Sequence, residues 1–169
     1  TYGYFSGEFI TGMEEGRPLL IRTPDAKFNI ANLMRSNLNT SLGAIRLGMD
    51  ILKKENVAID KLLGHGGLFK TKGVGQTIMA NALDPPVWVM TTAGEGGPWG
   101  MAVLAAYLIK KEQGETLPHF LDTKIFSGAE GSKIEPDAKG VEGFNKFMQR
   151  YTACLPVEKS ACECMKEKL

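Results

Sequence analysis

Cysteine and histidine are scarce in this 169-residue sequence. The only cysteines are Cys154, Cys162 and Cys164, an odd number gathered near the C-terminus, which does not suit a disulfide framework. The only histidines, His65 and His119, lie far from them, and no Cys-x-x-Cys pair occurs, so a zinc site has no ligand pattern. We therefore expect reduced thiols and no metal site.

Neither sign of charge dominates, and long apolar runs are missing. Twenty basic and 19 acidic residues leave a net charge of +1, which removes the electrostatic argument for nucleic acid or an anionic membrane as a partner. No apolar run approaches the roughly 20 residues of a membrane span. The sequence also opens without an initiator Met, a basic leader or a signal-peptide core. We expect a cytoplasmic fragment of a longer protein.

What is present suits one compact domain over residues 1–169, since 43% apolar and 23% charged residues are ordinary globular values. Residues 1–28 form a lead-in rich in Gly, Pro and aromatics, in which Leu19–Ile21 could be a short strand. Residues 29–155 form an α/β core, and residues 156–169 form a charged tail. The core opens with one long helix from Asn29, its N-cap, to about Lys54, because apolar residues recur there at steps of four and three.

The middle of the chain alternates strands and helices. Leu62–Leu63 and Val87–Met90 read as short strands, and helices are predicted from about Lys72 to Leu83, with Thr71 as N-cap, and from Pro98 to about Lys111. This alternation predicts a short, mostly parallel sheet flanked by helices. The last of these helices has almost no polar face, so we expect it to be buried on both sides or covered by a partner.

The C-terminal third is less regular. Thr123–Phe126 could be a short extended piece. Asp137 is predicted to cap a final helix that Pro156 ends.

Two glycine-rich turns follow the two predicted strands. Ligands of parallel sheets lie at the carboxyl ends of strands, where both turns, Gly64–Gly67 and Gly94–Gly97, should fall. Glycine permits positive φ and a close approach to the main chain, and the helix that follows offers free N–H groups. We expect the ligand site here.

Familiar phosphate and nucleophile motifs nevertheless fail in the first turn. Phe69 stands where the phosphate loop G-x-x-x-x-G-K-[ST] and the dinucleotide pattern G-x-G-x-x-G each need a glycine. His65-Gly66-Gly67 is similar to an esterase oxyanion loop, but no G-x-S-x-G turn occurs. His65 could be a base, a phosphate contact or a packing residue; Glu95 could cap the next helix or face a cleft; Lys70 could contact phosphate or only solvent.

Three segments carry a resemblance to a known family. Gly-His-Gly-Gly-Leu-Phe-Lys-Thr-Lys-Gly-Val-Gly-Gln (64–76), Asp-Pro-Pro-Val-Trp-Val (84–89) and Ala-Gly-Glu-Gly-Gly-Pro-Trp-Gly-Met-Ala-Val-Leu-Ala-Ala-Tyr (93–107) resemble the C-terminal domain of FGGY-type carbohydrate kinases. The resemblance is strongest to the ribulokinase and xylulokinase branch. It implies a partial actin-like, ribonuclease-H-like ATPase domain within a kinase that phosphorylates a sugar hydroxyl.

By position, the resemblance implies that Gly66 and Gly67 line the adenosine of ATP and that Thr71 gives a polar adenine contact. Lys70 is a further candidate nucleotide contact. The sugar-binding N-terminal domain with the catalytic aspartate, and the Gly-Thr hairpin that grips phosphate, have no counterpart here. Mg²⁺ would therefore be held mainly through absent parts, this chain has no catalytic residue, and we expect it to be inactive alone.

Two other functions stay open from the sequence. The chain could be a non-catalytic interaction or dimerisation domain that kept the kinase fold, or a dinucleotide binder weakened by Phe69. ATP or ADP is the expected small-molecule partner, the sugar would bind through the absent domain, and a homodimer is a candidate state. The sequence does not name the sugar.

Overall fold

The computed structural model describes residues 1–166 and divides them between two compact units. The helical unit comprises Thr1–Ala58, Asn81–Asp84 and the chain from Asp137 onward, and the sheet unit comprises Ile59–Ala80 and Pro85–Pro136. The elements in chain order are α1 (Ile30–Thr40), α2 (Gly43–Lys54), β1 (Leu62–Gly64), α3 (Val74–Leu83), β2 (Val87–Met90), α4 (Gly96–Lys110), α5 (Leu117–Phe120), β3 (Gly131–Ile134), α6 (Ala138–Ala153) and α7 (Leu155–Cys164).

The predicted long helix is two helices, and the single-helix prediction is wrong. Asn29 caps α1 as expected, its Oδ1 accepting from the Asn32 amide at 2.9 Å. The helix then breaks at Ser41, whose hydroxyl donates to a backbone carbonyl at 2.7 Å, a bond that competes with helical geometry. The break sets Gly43 against the ring of Tyr151 so closely that a Cβ there would meet the ring at 2.6 Å. Contact between α2 and α6 therefore outweighs the continuous helical pattern.

The helical unit has its core around the tyrosines of the lead-in and of α6. Tyr2 and Tyr151 are buried; the Tyr2 hydroxyl donates to the Tyr151 carbonyl, and the hydroxyls of Tyr4 and Tyr151 pair. Burial raises the pKa of Tyr2 and of Tyr151 well above the ordinary tyrosine value. The lead-in is tied down by a bridge between Tyr2 and Leu19, and no strand forms over Leu19–Ile21, so that expectation is wrong.

The predicted final helix begins where the sequence indicates, but Pro156 does not end it, and a further helix follows. Asp137 caps α6, its Oδ2 accepting from the Gly140 amide at 2.8 Å, so that prediction is confirmed. The helix ends at Ala153, and Pro156 lies in the first turn of α7, a position where a missing N–H costs nothing. On α7 the Glu158 carboxylate is fully buried, and its Oε1 accepts from the Arg17 amide at 2.6 Å.

The sheet unit confirms the α/β class and contains a mixed sheet in the order β1-β2-β3. β1 pairs with β2 in parallel, with Leu63 opposite Trp88, whereas β3 adds to the other edge of β2 in the antiparallel sense. The prediction of a mostly parallel sheet therefore holds for one of the two strand pairs. The extended piece predicted at Thr123–Phe126 is wrong, because the chain is a short π-helix over Leu121–Ile125.

The two longer helices of the sheet unit differ from their predictions, α3 at its N-terminus and α4 in how much of its apolar surface is buried. α3 begins at Val74, because Thr71–Gly73 forms a turn that closes with Gly73 at φ 79°, so Thr71 is not the N-cap. α4 buries only Val103, so it is not buried on both sides, and cover by a partner stays a prediction. Four of its large apolar side chains are exposed: Met101, Leu104, Leu108 and Ile109. Among residues 1–166 no helix has the length and apolar character to cross a membrane.

Candidate functional site

The two glycine-rich turns meet at one edge of the sheet. Each follows one strand of the parallel pair, and the carboxyl ends of parallel neighbours share an edge. The Gly66 amide donates to the Ala93 carbonyl at 2.7 Å, and Lys70 Nζ lies 2.9 Å from Glu95 Oε1. The expectation that both turns lie at the carboxyl ends of strands is therefore confirmed.

The first turn presents uncovered main chain. Gly66 has φ 99° and ψ −170°, a conformation that side chains rarely adopt. A Cβ built on Gly66 or on Gly67 meets nothing within 4 Å, and the same is true of Gly97 in the first turn of α4. A flat ligand or solvent can therefore reach the backbone here.

Phe69 replaces the glycine that both phosphate-binding patterns need, and it has a structural role in this turn. It ends a short 3-10 turn over Gly67–Phe69, and its ring packs against the main chain of Gly64. A Cβ at Gly64 would overlap that ring. The aromatic side chain therefore occupies the space that a side chain at residue 64 would need, which requires glycine there.

A cavity of about 410 Å³ opens beside the turn. Of the four residues predicted to bind nucleotide, Thr71 lines the cavity, whereas Gly66, Gly67 and Lys70 lie outside its lining. The structure thus places one predicted residue in a pocket and three on the adjoining open turn. The full lining is Phe69, Thr71, Lys72, Gly73, Gln76, Val89, Met90, Thr91, Glu130, Gly131 and Ser132.

Gln76 holds one wall of this cavity together. Its side chain is 3% exposed, and Nε2 donates to the carbonyls of Val87 at 2.8 Å and Ser132 at 2.9 Å. The Ser132 hydroxyl donates to Gln76 Oε1 at 3.0 Å. The sequence interpretation gave Gln76 no role; a buried amide facing two strands is visible only once the third strand is in place.

The sequence left alternative roles open for His65, Glu95 and Lys70, and the structure shows the contacts of each. His65 is exposed, and its side chain lies against the main chain of Gly96. Glu95 precedes α4 but makes no side-chain cap; it pairs with Lys70 instead. Both members of that pair are mostly exposed, at 59% and 69%. Lys70 is therefore neither buried nor fixed by packing and can exchange partners.

A second cavity, of about 470 Å³, lies beyond the end of β2. It shares Met90, Thr91 and Glu130 with the first cavity. Its other lining residues are Thr92, Trp99, Val103, Lys124, Ile125, Gly128 and Ala129. Within residues 1–166 no group of three or more His, Cys, Asp or Glu side chains is arranged to hold a metal ion. The turns themselves contribute one carboxylate, Glu95, which is already paired.

Comparison with known proteins gives one match. The family model described as FGGY family of carbohydrate kinases, C-terminal domain, matches residues 1–109. No curated protein and no solved structure gives a significant match. The matched stretch contains both glycine-rich turns and ends inside α4, so β3, α6 and α7 lie beyond it.

Proposed function

Because the chain belongs to the FGGY family of carbohydrate kinases, we propose that it is the ATP-binding part of a sugar kinase. The adenosine lies on the open main chain of Gly66 and Gly67. The observation that carries this proposal is the uncovered turn itself, in which a Cβ on either glycine would meet no atom within 4 Å beyond the adjoining residues. It lies at the carboxyl edge of the parallel strand pair, where ligands of such sheets bind.

Two side chains extend the site toward the rest of the nucleotide. Thr71 lines the adjoining cavity and offers a hydroxyl that can both donate and accept, which suits the edge of a purine. Lys70 follows the same 3-10 turn and holds a mostly exposed ion pair with Glu95. Such exposed pairs are worth about 0–1 kcal/mol, so a phosphate can take Lys70 from Glu95 at little cost.

The reaction proposed for the complete enzyme is transfer of the γ-phosphoryl group of ATP to a hydroxyl of a pentulose-type sugar. The hydroxyl oxygen forms a bond to the γ-phosphorus while its proton passes to a general base in another part of the kinase, the bond to the bridging oxygen breaks, and ADP leaves. This chemistry depends on Mg²⁺ and on placement of the acceptor. The matched family domain is the C-terminal one. We therefore assign the sugar site, the general base and most metal contacts to other parts of the kinase. We propose that this chain alone has no kinase activity and that the protein is cytoplasmic.

A non-catalytic interaction or dimerisation domain is the second candidate. The observation in its favour is the apolar face of α4, where Met101, Leu108 and Ile109 are 69%, 71% and 83% exposed. Exposed apolar patches of this kind mark interaction surfaces. This candidate requires self-association or a protein partner and no affinity for nucleotide.

Calorimetric titration with ADP tests the proposal. Gly67→Ala adds a methyl group in open space, so the fold should be kept. The methyl group should block the approach of the adenine base to the main chain. We expect roughly tenfold weaker binding of ADP, about 1.4 kcal/mol. Gly143→Ala on α6 is the matched control, because its Cβ is also unobstructed, and it should bind ADP as the wild type does. Equal affinities in all three proteins would reject the glycine site.

Two further measurements separate the candidates. A coupled assay with ATP, Mg²⁺ and ribulose or xylulose should show no turnover, and turnover would overturn the inactivity proposal. Sedimentation of the chain with and without ADP addresses the second candidate. A stable dimer that ignores ADP would favour the interaction domain over the nucleotide site.

A further inference from the structure

The five arginines of the chain fall into two groups. Arg17 and Arg46 each hold an ion pair with a nearby carboxylate. The other three, Arg22, Arg35 and Arg150, enter no ion pair within the described part of the chain, and all three line one cavity of about 320 Å³ in the helical unit. The chain is almost neutral as a whole, so its unpaired arginine charge is concentrated at this one place.

This cavity lies where α1 and α6 pack together and meet the segment of residues 20–28. The α1 residues that line it recur at steps of three and four, so they share one face of that helix: Asn32, Arg35, Ser36 and Asn39. Phe147 and Arg150 share a face of α6 for the same reason. On the preceding segment, the guanidinium carbon of Arg22 lies 4.9 Å from the centre of the Phe28 ring. The three arginines therefore line the cavity from three different segments.

The lining of this cavity contains cations and no carboxylate. Its 14 residues include the three arginines and Lys27 but neither Asp nor Glu. Outside the lining, Asp25 is fully exposed, and its carboxyl pKa is lowered chiefly by a hydrogen bond with Thr23 and to a smaller degree by the charge of Arg150. Grouped like charges repel one another and destabilise the compact state. Arginine is also the side chain best suited to phosphate, because its planar guanidinium can donate two parallel hydrogen bonds.

We propose that this cavity binds a small molecule through its phosphate group, with Arg35 and Arg150 as the principal donors, since Arg22 already lies over an aromatic ring. A phosphate monoester carries nearly two negative charges at neutral pH and so offsets more of the positive charge than a carboxylate does. The volume falls in the range of small-molecule pockets, roughly 300–1,000 Å³. Both glycine-rich turns belong to the sheet unit, so this site does not depend on the proposed nucleotide site.

Calorimetric titration with inorganic phosphate at fixed ionic strength tests the proposal. Arg35→Gln and Arg150→Gln should each weaken phosphate binding at least fivefold, because each removes a charged donor from the cavity. Lys139→Gln is the matched control: it removes the same charge from an exposed position on α6, roughly 16 Å along the helix from Arg150, and should bind phosphate as the wild type does. Acetate should bind to the wild type at least tenfold more weakly than phosphate.

Three outcomes would reject the site: no measurable binding of phosphate to the wild type, equal binding in the wild type and all three variants, or acetate binding as tight as phosphate binding. Lys70→Met should leave phosphate binding unchanged, and a loss of most of the affinity in that variant would place the anion at the glycine turn and overturn the proposal. Urea unfolding without phosphate tests for a structural role. Arg35→Gln and Arg150→Gln should be at least as stable as the wild type, because each relieves repulsion between like charges. A less stable variant would make that arginine a structural residue and reject its assignment.

Discussion

Replacing Gln76 by Leu should open the junction of α3, β2 and β3. The side chain is 3% exposed and uses both of its amide hydrogens, one on the Val87 carbonyl and one on the Ser132 carbonyl. Leu has a similar volume but no donor, so both carbonyls lose the hydrogen bond from the Gln76 amide. The fold itself should survive, because the apolar contacts of β2 and α3 remain.

Three hydrogen bonds are lost, because Oε1 no longer accepts from the Ser132 hydroxyl either, and they are not equivalent. Val87 is fully buried, so water cannot replace the donor at its carbonyl, and the loss there falls at the upper end of about 0.5–1.5 kcal/mol. Ser132 is exposed, so water can take over there and the loss is about 0.5–1.5 kcal/mol. Burial of the Leu methyl groups offsets part of this. We expect the free energy of unfolding to fall by about 2–3 kcal/mol.

Urea unfolding gives the total effect, and hydrogen exchange locates it. Amides of residues 87–90 and 131–134 should lose protection in Gln76→Leu, whereas those of α6 should not change. Ser132→Ala is the matched control: it removes only the hydroxyl bond to Gln76 and should cost less than about 1.5 kcal/mol. A Gln76→Leu variant within about 0.5 kcal/mol of the wild type, the scatter of neutral surface changes, would refute this reasoning.

Three further predictions follow from single contacts. Gly75→Ala should lower the free energy of unfolding by about 1–2 kcal/mol in a urea titration, although Ala is the better helix former, because its Cβ would overlap the Leu68 carbonyl oxygen; a more stable variant would contradict this. Lys70→Met should weaken the binding of ADP in calorimetry while leaving adenosine unaffected, and an equal loss for both ligands would deny the phosphate contact. Burial raises the pKa of Tyr2 and Tyr151. The stability that their neutral hydroxyls provide is therefore present below the tyrosine pKa of the unfolded chain, about 10, and is lost as pH rises beyond it. Urea titrations at alkaline pH should show this decline, and Tyr151→Phe should lessen it.

The sequence predicted the elements that local pattern controls. Val87–Met90 is the strand that its apolar run and flanking turns indicate, and Asp137 caps its helix, because capping and strand signals act within a few residues. The placement of both glycine turns at the carboxyl ends of strands followed from the alternation of strand and helix. These predictions needed no knowledge of distant contacts.

Contacts between distant segments account for the predictions that were wrong. The break at Ser41 depends on the approach of Gly43 to Tyr151, more than 100 residues away in the chain. β3 has no strong strand pattern in Gly-Ser-Lys-Ile and is fixed by its ladder with β2 and by Gln76. Propensity is a weak prior where such packing decides, so neither the break nor the cavity wall could be read from local pattern.

Amide NMR during an ADP titration reports on the paired glycines without altering them. If adenosine binds at this turn, the largest chemical-shift changes should fall on Gly66, Gly67 and Thr71, with smaller changes on Glu130–Ser132 and none on α6. Changes that leave Gly66 and Gly67 untouched while appearing elsewhere in the chain would contradict binding at this turn.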